Sequence, residues 1–226
     1  MWDMAIERAV EPQAVTPAGA QRARVEALGS AAHPYARRLA TAAGPNAARD
    51  LADFVHLFCS LYGRHPGLIE LALARCPAGP VRDWLLEASD AYERERLYLV
   101  RLTAAVGPLP STPGAAETEA VLASQRHAIE TLAGSERGGC ALGAATALIG
   151  DWPVIRAALD RAATRMGLDV PALRLSDADA IAAVIDAGVS GMAAERGLGF
   201  GGEQLLLQNR GLFDLLEARA AARGDD

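Results

Sequence analysis

The chain has 226 residues, 51% hydrophobic, 22% charged and 5% aromatic, long enough for one domain with a substantial core. Alanine (49 residues) and leucine (29) dominate over β-branched residues, which disfavours all-β and doubly wound architectures. The formal net charge is −6 and all 22 basic residues are arginine; this balance argues against nonspecific binding to nucleic acid or to an anionic membrane, since both need a basic surface.

Residues 1–18 contain Pro12 and Pro17 without sustained periodicity and read as a loose arm ahead of a single domain over 19–222. A weak helical pattern covers 21–32, His33-Pro34 interrupts it, and a short piece follows to Ala43. Asn46 reads as the N-cap of a helix ending at Tyr62-Gly63. Pro66 opens a shorter helix that ends before Pro77, and Pro80 sits in the first turn of a long one stopped by Val106-Gly107-Pro108. A further helix spans 115–133.

The stretch 138–150 is nearly all Ala, Gly, Leu and Thr; Asp151 followed by Pro153 predicts an N-cap and a break, with helix resuming to Met166. Ser176 with Asp179 three residues on predicts a capping box for a helix through about 195. Four glycines in 197–202 read as a flexible hinge before a last helix over 203–222. The expected fold is therefore all-α, an antiparallel bundle of about eight helices.

The N-terminus lacks a basic segment followed by an apolar one, and 138–150, the longest uncharged apolar run, is too short to span a bilayer. Cys59, Cys76 and Cys140 are odd in number and form no CxxC, so they read as small apolar side chains rather than a disulfide or zinc framework. These features predict a cytoplasmic protein that engages no membrane.

Helical spacing places polar residues where apolar ones belong. Trp84, Leu85, Ala88, Tyr92, Leu99 and Leu102 form one stripe at 100° per residue, and Glu95 falls near its centre while Glu93 points away. An inward carboxylate is costly unless protonated, paired or coordinated. Gln125 intrudes likewise on the stripe of Val121, Leu122, Ile129 and Leu132, and Asn209 on that of Leu205, Leu212, Phe213 and Leu216. A single Glu95–Gln125–Asn209 network between helices would satisfy all three. A ligand pocket in the bundle core would lie beside Glu95, Trp84 and Tyr92.

Two spacings suit metal. Asp53-Phe54-Val55-His56 and His127-Ala128-Ile129-Glu130 each set an acid and an imidazole three apart, hence on one helix face. With the long bundle helices, residues 46–166 resemble the ferritin-like proteins at the level of architecture. That resemblance implies a di-metal centre held by carboxylates and Glu-x-x-His pairs, although no true Glu-x-x-His occurs here. On the periodicity, His56 lies opposite Phe54, Phe58 and Leu61, and His127 opposite Leu122 and Ile129, so neither pair points at the core that Glu95 faces unless these helices are buried on both sides. A haem-oxygenase-like or thiaminase-like helical fold is the other resemblance, in which His56 would be a haem ligand and His65 a surface residue. Cys59 lies one turn from His56 without a third group to orient it as a nucleophile.

Residues 183–194 imitate a dinucleotide-binding fingerprint, but Asp186 replaces its first glycine and no strand precedes it. An amphipathic helix with Gly188 and Gly191 allowing close packing is the expected form. The clusters Arg22/Arg24, Arg37/Arg38 and Arg94/Arg96/Arg101 read as solvated faces, with Glu93 beside Arg96.

The functional expectation is a non-catalytic structural or interaction role, with no cofactor, and a homodimer packed through an Ala/Gly-rich helix face. The alternatives are a ferritin-like metal-dependent oxidoreductase or its inactive descendant, and a binder of an unspecified small molecule in the bundle core.

Overall fold

The computed structural model describes residues 16–224. Nine helices and one 3-10 turn, with no strand, make up the described chain: α1 (Pro17–Leu28), a 3-10 turn (Ser30–Ala32), α2 (Pro34–Ala40), α3 (Ala47–Tyr62), α4 (Leu68–Arg75), α5 (Pro80–Ala105), α6 (Ala115–Ala133), α7 (Cys140–Arg165), α8 (Ala178–Gly188) and α9 (Gly191–Ala222). The fold is an all-α helical bundle, as the composition predicts.

Most of the expected arm, 1–15, lies outside the described residues. Its last part is helical: the Gly19 N–H donates to Thr16 Oγ1 at 3.0 Å and Pro17 occupies the first turn. His33 both ends the 3-10 turn and caps α2, its Nδ1 accepting from the Tyr35 N–H at 3.1 Å. Asn46 precedes α3 without a side-chain cap bond; its carbonyl takes the N–H groups of Arg49 and Asp50.

α7 is the central helix and packs against every other described helix, most extensively α9. Its alanines and glycines make that possible, because small side chains let backbones approach. The expected break at Asp151-Pro153 does not occur: α7 runs unbroken from Cys140 to Arg165 with Pro153 inside it. Asp151 does not cap because its carboxylate is spent on Ser30 from another part of the chain.

By length and composition α7 alone among the described helices could cross a membrane, although 138–150 by itself is too short; 78% of its most apolar window is buried against the rest of the fold.

The expected hinge at 197–202 is instead the interior of α9. A Cβ on Gly197, Gly201 or Gly143 would stand 2.0, 2.0 or 2.1 Å from a carbonyl oxygen of the facing segment (Gly138, Cys140 and Leu198 respectively). These glycines provide contact rather than bending. The helix predicted through 195 also divides. α8 is capped by Asp177, which accepts from the Ala180 N–H at 2.9 Å, not by Ser176, and it ends at Gly188. Gly188 does allow close packing, against Val81, whereas Gly191 has open space around it and supplies a positive φ of 81° at the turn into α9.

Candidate functional site

Glu95 on α5 is 2% exposed. Its partners come from α7: Arg156 Nη1 donates to Oε1 at 2.7 Å and to Oε2 at 2.8 Å, and Trp152 Nε1 donates to Oε2 at 2.9 Å. Arg156 also donates through Nε to Asp160 Oδ1 at 2.6 Å and through Nη2 to the Pro171 carbonyl, while its guanidinium lies over the Tyr98 ring at 4.3 Å. Burial would lower the Arg156 pKa, but the Asp160 and Glu95 carboxylates outweigh burial and hold it above the ordinary value. The acid near the centre of the apolar stripe is thus fully engaged by an arginine and an indole.

Asp151 on α7 is as deeply buried, at 1% exposed, and is met by no cation among the described residues. Ser30 donates to it from its N–H (2.7 Å) and hydroxyl (2.6 Å), and Asn209 Nδ2 donates at 2.9 Å. Desolvation raises its pKa above the usual carboxylate value, with the Ser30 and Asn209 donors opposing. Asn209 Oδ1 in turn accepts from the Tyr62 hydroxyl. Burial raises the Tyr62 phenol far above its ordinary range, and Asp151 adds to the rise.

Gln125 belongs to neither group: its Nε2 donates to the Gln208 carbonyl at 2.9 Å, and its Oε1 has no partner among the described residues. Glu95, Gln125 and Asn209 therefore do not form one network. Each is buried as its stripe predicts, but each finds different partners because the three helices present different neighbours.

The candidate metal pairs are not assembled. Asp53 is fully buried because α3 is packed on both sides, the condition under which its motif could reach the core. Arg219 donates to both of its oxygens, at 2.7 to 3.1 Å, and Arg223 Nη1 donates to Oδ2 at 2.6 Å. His56 is half-buried, its Nε2–H donating to the Gly107 carbonyl at 2.8 Å. His127 and Glu130 are exposed on α6. Among the described residues no group of three or more His, Cys, Asp or Glu side chains could hold a metal ion.

Trp84 donates from Nε1 to Ser176 Oγ at 3.0 Å. Tyr92 packs edge-on against Trp152, ring centroids 4.9 Å apart, and its hydroxyl has no partner among the described residues. It lines a cavity of about 30 Å³ with Tyr62, Leu61, Leu71 and Ile129, whose walls include neither Trp84 nor Glu95. The expected Trp84–Tyr92–Glu95 pocket is thus reduced to a small space beside Tyr92.

Sequence reasoning missed Arg96, Arg156, Arg219 and Asp151 as buried charge. Arg96 pairs with Glu93 as expected but is only 4% exposed; it also donates to Glu70 Oε1 at 2.8 Å and to His65 Nδ1 at 3.2 Å. Burial would raise the Glu70 pKa, yet Arg96 and the Gly67 N–H outweigh burial and hold it below the ordinary value. Gln21 was also missed: it is 1% exposed and donates to the Gly143 carbonyl and Thr146 hydroxyl at the α7–α9 crossing.

Residues 25–224 match the Family of unknown function (DUF6975), and the chain belongs to that family. No curated protein matches the chain, and no solved structure does.

Proposed function

We propose that this protein has a non-catalytic structural or interaction role, in which buried charge holds the helices in register. One observation carries the reading: the inward carboxylates Glu95, Asp53 and Asp151 have their oxygens occupied by donors from other segments of the same chain. A carboxylate clasped by guanidinium can neither ligate a cation nor take a proton from substrate without first leaving an arginine buried and uncompensated. Self-association as a homodimer and a cytoplasmic setting belong to the same proposal. The Ala/Gly face of α7 is covered by α9, so a dimer would form through another surface. Descent from a ferritin-like bundle is compatible with this role when the metal ligands have been given over to ion pairs, as at Asp53, or face solvent, as at His127 and Glu130.

Elemental analysis of protein purified without chelator tests the reading. Iron and manganese well below one per chain are expected; a stoichiometric content of either would overturn it. Light scattering on the same preparation should return twice the 23.6 kDa chain mass.

A further inference from the structure

The cavity at Tyr92 shares part of its wall with a second space. Arg64, Pro66, Leu71 and Glu130 are common to it and to an outer cleft of about 470 Å³, which is also lined by His65, Ala74, Arg75 and Gly134. The two spaces share these walls between α4 and α6, the outer one at the surface and the inner one against the Tyr92 side chain. The inner end is apolar apart from the tyrosines, being walled by Leu61, Leu68, Leu71, Ile129 and Leu148. The rim is basic: Arg64, Arg75 and Arg126 stand against Glu130. Arg75 is spent on the Gly134 carbonyl and Arg126 reaches the Ser60 carbonyl. Arg64 is exposed and makes no hydrogen bond or ion pair with a described residue.

We propose that these two spaces form one passage that binds a small organic acid, its carboxylate at the Arg64 rim and a second, uncharged oxygen on the Tyr92 hydroxyl. The assignment goes beyond the structural role argued above. A buried hydroxyl without a partner is costly and asks for one. The inner cavity has room for about one water-sized group, so what reaches Tyr92 is slim. An anion placed among those leucines would lose its hydration without compensation, so the charge stays at the rim. A planar carboxylate suits a guanidinium fork there. An apolar stem then links the two ends.

Calorimetric titration with glycolate, γ-hydroxybutyrate and ε-hydroxycaproate, each beside its unsubstituted acid, tests the proposal. At least one hydroxy acid is expected to bind with a dissociation constant at or below about 1 mM, within reach of so small a ligand. Its plain counterpart should bind about tenfold more weakly, the worth of one buried hydrogen bond. Tyr92→Phe should abolish that preference, and Arg64→Gln should weaken both acids about tenfold. Neither change removes a bond within the chain, so both variants should fold, and an unaltered thermal midpoint checks this. The indole resonance of Trp152, in contact with the Tyr92 ring, should shift on binding. The proposal is overturned if no probe binds, if the hydroxyl adds nothing, or if either substitution leaves binding unchanged. A probe that binds and is consumed would uphold the site and overturn the non-catalytic reading instead.

Discussion

Two acids on or against α7 are buried to the same degree and stabilised by different means. Glu95 is neutralised by Arg156, whereas among the described residues Asp151 is met by dipoles from Ser30 and Asn209. Replacing one member of a buried pair strands the other, so Glu95→Gln should cost about 3–5 kcal/mol in denaturant unfolding. Asp151→Asn should instead change the pH dependence. The folded protein holds a proton on Asp151 more tightly than the unfolded chain, so this group lowers stability as pH rises from the ordinary carboxyl value of about 3.9 through its raised folded value. As the pH falls through that window, the wild-type chain should gain stability relative to D151N. Urea midpoints of the two proteins compared between neutral and mildly acid pH would show this, and a constant difference would refute it. Glu95 was legible in the sequence because a carboxylate inside an apolar stripe has no inexpensive way out. Arg156 and Arg219 occupy apolar stripes too, with Trp152 and Leu159 and with Leu212 and Leu216, but a long side chain can carry its charge to water. Position alone therefore did not mark them as buried, and which helix supplies a partner depends on spatial order that periodicity does not encode.

At the scale of elements, helix starts and stops announced by proline, as at Pro80 and Gly107-Pro108, were readable because proline's missing donor restricts where it can sit, whereas Pro17 opens a helix where the sequence suggested a loose arm. The glycines of α9 were misread because composition does not separate a flexible glycine from one that admits a neighbour. Their spacing does: Gly197 and Gly201 are four apart, hence on one face, and both abut the start of α7, whereas Gly199 points the other way, towards the far end of the Arg24 side chain. Gly201→Ala and Gly143→Ala each drive a methyl into backbone and should cost about 3 kcal/mol or more, through overpacking that rigid helices cannot relieve. Gly199→Ala should be neutral or stabilising by up to about 1 kcal/mol, the gain in helix propensity. Opposite signs in thermal midpoint, at about 2–4 °C per kcal/mol for a chain of this size, would verify the crossing. Equal effects at 199 and 201 would mean that α9 does not lie on α7 in this way.

Over the whole molecule, α9 ties the end of the chain back to its first third. Arg219 and Arg223 clasp Asp53 on α3, Asn209 and Tyr62 join α9 to the end of α3, and His33 Nε2 meets Asp214 Oδ1 at 2.9 Å. Contacts separated by so much sequence should make unfolding a single cooperative event rather than a stepwise loss of helices. The ion cluster provides the sharper test, because its members are costly apart and dispensable together. Asp53→Leu leaves two guanidinium groups facing an apolar side chain, and Arg219→Met leaves Asp53 with Arg223 as its remaining arginine. Each single change should cost about 3 kcal/mol. The double variant should cost less than their sum by at least about 1 kcal/mol, since residues in one buried network couple on that scale. Denaturant curves for the four proteins give the coupling directly. Additive costs would show that Asp53 and Arg219 stabilise the fold independently, and the closure of α9 onto α3 would then rest on the apolar packing of Phe54, Phe58 and Phe213.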